Sequence, residues 1–213
     1  MNILLKETAA LLEEMDALWA VCGGFALDLF LGKEIRRHSD IDICVCEKDR
    51  EKILQYVLRK GWTVYEFRGQ GKVRPLGPTV PSEMGRNLMC IKDQCEFVQF
   101  YPCEEEGLLY HEFFHIGITR LNYLEFLFNQ TDSGDLLLSG GKVKCALSEA
   151  ILHRNGIPYL APEVALLIKA SRADNAEYQL DFEMVYPQLN SEQRKWFIQK
   201  MDILYPNGHV WRK

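Results

Sequence analysis

Asp40 and Asp42 stand two residues apart in the run SDIDICVC, Ser39 to Cys46, whose alternation reads as a β-strand. Side chains at i and i+2 of a strand share a face, so both carboxylates project together while Ile41, Ile43 and Val45 project to the other side. Two like charges held side by side cost free energy unless a cation neutralises them. Paired aspartates of this kind suit Mg²⁺, a hard ion that takes oxygen ligands and shares its shell with substrate phosphates. On a merely solvated strand the same pair is surface charge, so its surroundings decide.

Upstream, Gly23 and Gly24 fall between a short apolar run, Leu18 to Cys22, and a segment with Ala26, Leu27, Phe30 and Leu31 at helical spacing. Strand, glycine turn and helix in that order bring bare backbone N–H groups and a positive helix end to one place, where phosphate oxygens bind. The same glycines also serve a plain tight turn. A third carboxylate is expected from a neighbouring strand. Glu96, opening the apolar run Glu96 to Phe100, is the candidate, completing the metal site and acting as general base toward an acceptor hydroxyl. Asp93 is the competing choice, better suited to a turn, where its side chain bonds the local backbone.

The elements that must position these residues follow from periodicity. Residues 3–16 and 48–60 have helical spacing, the second with Ile53, Leu54, Val57 and Leu58 on one face and Gly61 closing it; Gly32 stops the helix after the glycine turn. Trp62 to Phe67 is β-rich. Arg68 to Arg86 is expected as a long glycine- and proline-rich loop whose Arg68, Lys72, Arg74 and Arg86 either close over an anion or are solvated. Asn87 to Ile91 and Cys95 to Phe100 are expected to form a β-hairpin around residues 92–94. Residues 104–156 give a mixed signal. Pro162 opens a helix to about Arg172, another starts near Asp181, and a third follows Ser191 as N-cap. The reading is an α+β fold: a small mixed β-sheet flanked by helices, as an α/β domain over 1–157, with a C-terminal helical unit over 158–213.

The 213 residues are 47% hydrophobic and 26% charged, enough for a real core. A formal charge of -5 argues against a nucleic-acid backbone footprint and for a small-molecule partner. No apolar run is long enough to span a membrane, and Lys6, Glu7, Glu13 and Glu14 stand where a signal peptide is apolar, so the expected location is cytoplasmic. The seven cysteines include no C-x-x-C pair, and Cys22, Cys44 and Cys90 sit in apolar runs, the pattern of reduced packing residues.

The strings GGFALDLFLG and RRHSDIDICV together resemble the active-site motif of the nucleotidyltransferase superfamily of DNA polymerase β type. Their wording is most similar to small antibiotic-modifying members, the lincosamide and aminoglycoside 2''-nucleotidyltransferases. PYLAPEVALLIKA, with Asp181 and Phe182 downstream, resembles relatives of the same group. The resemblance implies the nucleotidyltransferase fold and transfer of a nucleoside monophosphate, AMP from ATP or its counterpart from another NTP, to a hydroxyl of a small molecule, with release of pyrophosphate. It implies two Mg²⁺ ions on Asp40 and Asp42, with Glu96 standing where an Asp is more usual. Gly23 and Gly24 would cradle the β and γ phosphates, helped by Ser39 and by Arg37 or His38, and Lys169 would face the nucleotide from the helical unit.

Rival readings attach to other residues. HEFFH, His111 to His115, matches the H-E-x-x-H zinc pattern, which requires a helix that brings i and i+4 together and a third ligand downstream. The β-like Ile116, Gly117 and Ile118 that follow argue against it. Tyr101, Tyr110, Phe113, Phe114, Tyr123, Phe126 and Phe128 either line an acceptor pocket or pack a core. A protein or RNA acceptor, or a nucleotide sensor without turnover, completes the alternatives.

Overall fold

The computed structural model describes residues 2–93, 95–114 and 119–212. The helices in chain order are α1 (Ile3–Leu12), α2 (Gly23–Leu31), α3 (Arg50–Arg59), α4 (Leu147–Ala150), α5 (Pro162–Lys169), α6 (Ala176–Val185) and α7 (Ser191–Leu204). The strands are β1 (Trp19–Val21), β2 (Asp42–Cys46), β3 (Thr63–Gly69), β4 (Lys72–Leu76), β5 (Leu88–Ile91), β6 (Val98–Pro102) and β7 (Leu109–Phe113). There follow β8 (Tyr123–Asn129), β9 (Thr131–Asp132), β10 (Asp135–Leu138), β11 (Val143–Ala146), β12 (Ile151–Arg154) and β13 (Ile157–Leu160). The α+β composition read from the sequence is borne out. Contacts divide the chain into one compact unit of Met1–Trp19 and Arg37–Asn129 and another of Ala20–Arg36 and Gln130–Lys213. The second unit therefore takes in residues 20–36 and 130–157 besides the C-terminal helices.

In the first unit the strands run β2-β8-β5-β3-β4-β7-β6. β2 and β8 are parallel and the remaining pairs antiparallel, a mixed sheet. All four residues of β5 are buried, and both of its edges are hydrogen-bonded, to β3 and to β8. The expected hairpin between 87–91 and 95–100 is thus excluded: β5 has no free edge, and β6 pairs with β7 instead. The expected loop 68–86 is also partly strand. β3 and β4 form a hairpin that turns at Gly69, Gln70 and Gly71, all three in the left-handed region at φ 81, 53 and 72°, where glycine carries no steric penalty.

The far end of this sheet curls over. Tyr65 on β3 stacks on Phe100 on β6 with ring centroids 4.4 Å apart, although β4 and β7 lie between them and three strand spacings of a flat sheet span roughly 14 Å. Phe97, just before β6, likewise reaches Tyr123 on β8 at 4.6 Å. The curl encloses a core of Val73, Met89, Ile91, Phe97, Val98 and Tyr123. Of the aromatic run, Tyr123 and Phe113 pack here and Phe126 is buried, whereas Tyr101, Tyr110 and Phe114 are exposed. α1 carries Leu4, Leu5 and Leu12 into the first unit, and α3 carries Ile53, Leu54 and Val57.

The second unit holds β12-β13-β1, with β13 antiparallel to β12 and parallel to β1, and a separate three-stranded sheet, β11-β10-β9. Phe182 of α6 stacks on Trp211 at 4.5 Å. The third helix begins at Ser191 with Asn190, not Ser191, as N-cap in a capping box with Gln193. α6 starts at Ala176, five residues before the expected point, because Asn175 caps it. All seven cysteines are free, and burial pushes the Cys44 thiol up to about 12, consistent with inert packing residues. Among the described residues no helix is long and apolar enough to cross a membrane.

The basic residues of 68–86 are not arrayed for an anion. Glu66, fully buried, receives Arg68 at 2.9 Å, Arg74 at 2.8 Å, the Ser82 hydroxyl at 3.0 Å and the Glu83 backbone N–H. Lys72 pairs with Glu105, and Arg86 with Glu83 at 3.7 Å. Burial opposes the charge on Glu66, yet its donors together hold the carboxyl below its ordinary range. The stability it contributes is therefore present above the ordinary glutamate range and is lost as pH falls through the lowered value. Glu66→Ala leaves two guanidinium groups without their shared partner and should cost about 3 kcal/mol, roughly 6–12 °C in Tm. A thermal melt at neutral pH checks it, and the difference from wild type should shrink in acid.

Candidate active site

The segment 37–41 enters β2 without regular structure, with Arg37 exposed, His38 buried and Ser39 half-buried. Ile41 and Ile43 have no exposure, whereas Asp40 and Asp42 are half-buried. The alternation places Ile41 and Ile43 in the core and leaves Asp42 on the opposite face of β2, with Asp40 just ahead of the strand. β2 is shorter than the run Ser39 to Cys46, but the backbone pairing begins at Ile41, whose carbonyl accepts from the Glu125 N–H at 2.9 Å.

That pairing brings in a carboxylate the sequence reading missed. In the parallel register of β2 and β8, Asp42 lies opposite Glu125, so both side chains stand on one face of the sheet. Glu125 keeps partial exposure but is desolvated, and its carboxyl is pushed up to about 7, first by burial and then by the negative charge of Asp40. The Tyr123 hydroxyl donates to Glu125 Oε1 and opposes that rise. Tyr123 itself is driven well above the usual phenol range by burial and by the charges of Glu125, Asp40 and Asp42. The four side chains thus share one electrostatic environment.

The expected third carboxylate, Glu96, is instead exposed in a turn ahead of β6, at the opposite end of the strand order from β2. The strand beside β2 is β8, and the residue it presents is Glu125. Asp93 is exposed, with φ 55° in a turn, as its residue type favours. The available signal was a lone charged residue inside the apolar run YLEFLFN, Tyr123 to Asn129. Nothing in the sequence says that this run lies beside β2.

Asp42 and Glu125 on one face, with Asp40 close enough for its charge to act on Glu125, make an oxygen-only donor set whose repulsion a cation relieves. Among the described residues no three His, Cys, Asp or Glu side chains form a ready-made metal cage. A Mg²⁺ ion that takes one or two carboxylates and fills its shell with water and phosphate needs no such cage, so the residues present fit it.

In the second unit, Gly23 and Gly24 form the first turn of α2, with Gly23 at φ 63°. The preceding Cys22 is extended and makes no side-chain cap bond. Lys169 ends α5, buried, with its ammonium 3.0 Å from Asp181 and 3.9 Å from the Tyr178 ring centre. Asp181, fully buried, also accepts from Arg36 Nε at 3.0 Å and Nη2 at 3.3 Å, and Arg36 reaches Glu177 at 2.9 Å. Lys169 is therefore tied into an ion cluster of its own unit.

The zinc pattern does not have its required geometry. His111 to Phe113 lie in strand β7, where successive residues point to opposite faces and i and i+4 are about 13 Å apart. His115, Ile116, Gly117 and Ile118 lie outside the described residues.

Residues 4–74 match the profile of a family described as aminoglycoside-2''-adenylyltransferase. The matched stretch holds Gly23, Gly24 and residues 37–42, and stops short of Glu96, Glu125 and Lys169. None of the curated proteins matches. Among solved structures, the chain resembles the lincosamide antibiotic adenylyltransferase LnuA in its lincomycin-bound crystal form, with a TM-score of 0.52 at 15% identity, covering 87% of this chain and 96% of that one. It resembles the solution structure of the antibiotic-resistance factor ANT(2'')-Ia with a TM-score of 0.54 at 12% identity, covering 96% and 92%. A crystal structure of ANT(2'')-Ia in complex with adenylyl-2''-tobramycin gives 0.51 at 11% identity, covering 96% and 97%. At these identities the likeness is one of fold.

A raised carboxyl pKa means that folding favours the protonated form: the stability is fully present below the ordinary glutamate value and lost as pH rises through about 7. In EDTA, Tm should therefore fall between pH 4.5 and 7.5 by an amount that Glu125→Gln removes, on the order of 2 kcal/mol or roughly 5 °C. Mg²⁺ at pH 8 should restore stability to the wild type and not to Asp42→Asn, measured by differential scanning fluorimetry.

Proposed function

We propose that this chain is a nucleotidyltransferase, a reading supported by its fold and by the family match over residues 4–74, and that it transfers AMP from ATP to a hydroxyl of a small-molecule antibiotic and releases pyrophosphate. The observation that carries the reading is the register of β2 and β8, which sets Glu125 opposite Asp42 within the field of Asp40. Asp40 and Asp42 are the side chains that would hold Mg²⁺. The ion, when bound, supplies charge to the triphosphate and makes the α-phosphorus more electrophilic.

Glu125 takes the part first sought in Glu96. As general base it accepts the proton of the acceptor hydroxyl, and its carboxyl, raised toward neutrality, is matched to that task. The acceptor oxygen then bonds to the α-phosphorus, the bond from that phosphorus to the bridging oxygen breaks, and pyrophosphate leaves with the electron pair. Gly23 and Gly24 offer backbone N–H groups to the β and γ phosphates. Ser39, with Arg37 or His38, adds donors beside the aspartates. The acceptor is a small hydroxylated antibiotic of the lincosamide or aminoglycoside kind, by likeness to the proteins solved with lincomycin and with adenylyl-tobramycin.

Incubation with Mg²⁺, labelled ATP and either lincomycin or tobramycin should release pyrophosphate and label the antibiotic. Asp42→Asn should lower the rate at least ~10³-fold, a loss on the scale of removing one strong electrostatic contact in a transition state, while Tm in EDTA stays at or above that of wild type. Glu125→Gln should lower kcat by roughly 10²–10⁴-fold. Full activity in Asp42→Asn would overturn the mechanism.

A further inference from the structure

Tyr123 is fully buried in the curled end of the sheet, opposite Ile91 in the β5–β8 pairing and two residues from Glu125 on the same face of β8. Its ring is gripped from two directions: Phe97 meets it edge-on at 4.6 Å and 76°, and Phe113 at 6.0 Å and 90°. Both come from the β6–β7 end, which reaches β8 only because the sheet folds over on itself. The one polar atom of this ring is its hydroxyl, and it donates to Glu125 Oε1.

We infer that Tyr123 is a positioning residue for the transfer reaction: its hydroxyl, held by Phe97 and Phe113, fixes the Glu125 carboxylate with Oε1 engaged and Oε2 left to take the acceptor proton. The inference rests on the reading of Glu125 as the general base. The physical reason is that a glutamate with partial exposure has several rotamers, and each one except the productive one wastes the base. A buried phenol is a suitable clamp because its two torsions are locked by packing and it cannot ionise beside three carboxylates, so it remains a donor. A lysine or arginine in its place would hold the carboxylate as firmly but lower its basicity.

The expected loss is confined to the chemical step. Tyr123→Phe keeps the ring and its packing and removes only the donor. It should lower kcat by about 10- to 100-fold with the KM of ATP and of the acceptor changed less than about twofold. Transfer is followed with lincomycin or tobramycin, or as slow release of AMP to water where neither is accepted. In the Glu125→Gln background, Tyr123→Phe should change kcat no further, because a residue that acts through Glu125 has nothing left to position. Phe97→Leu, which keeps the hydroxyl but loosens the ring, should give a smaller loss that Glu125→Gln also absorbs. A purely structural tyrosine would lower activity equally with Glu125 present or absent. Additive losses, or an unchanged kcat in Tyr123→Phe in an enzyme that still requires Asp42, would overturn the inference alone; an enzyme indifferent to Asp42 overturns the reading beneath it.

Discussion

The repulsion among Asp40, Asp42 and Glu125 is the constraint around which the first unit is arranged. Left to side-chain freedom, such carboxylates separate. Here the backbone prevents it: Ile41 and Glu125 are joined by a main-chain hydrogen bond, and the parallel register of β2 and β8 continues that pairing through Asn129. The dry side of the same strand, Ile41, Ile43 and Val45, anchors β2 in the core. Hydrophobic burial on one face thus holds the carboxylates together on the other, where burial first and the charge of Asp40 second raise the carboxyl of Glu125.

Two other acidic residues show the contrasting solution. Glu66 and Asp181 have no exposure, and each is surrounded by basic side chains, Arg68 and Arg74 for the one, Arg36 and Lys169 for the other. Those clusters satisfy the charge internally and so hold structure together: the segment after β4 in one case, the helices α5 and α6 with the link after α2 in the other. Glu125 is faced instead by a phenol and by a like charge. Among these three carboxylates it is the one whose environment favours a proton.

The curl of the sheet connects the aromatic residues to that chemistry. Stacking of Tyr65 on Phe100 and the edge contact of Phe97 on Tyr123 are long-range contacts between strands that are not neighbours. They turn what reads in sequence as a scattered set of rings into a packed core whose polar end is the Tyr123 hydroxyl.

The sequence by itself determined the strand that carries Asp42, the glycine turn into α2 and its stop at Gly32, the helices α3 and α5, and the likeness to antibiotic nucleotidyltransferases. All of these depend on residues within a few positions of one another, where spacing of 2.0 or 3.6 and glycine's freedom at positive φ leave little choice. What only the tertiary structure decided was which strand lies beside β2. A strand's edge carries no label, so nothing in Glu96 to Phe100 or in Tyr123 to Asn129 states which of them pairs there. The buried β5 uses both its edges, on β3 and β8, and β6 pairs with β7, so that Glu125 and not Glu96 lies opposite Asp42. The basic segment differs for a related reason: the buried Glu66 binds Arg68 on its own strand and Arg74 from across the β3–β4 hairpin, and pairing over such a turn is visible only once the chain has folded.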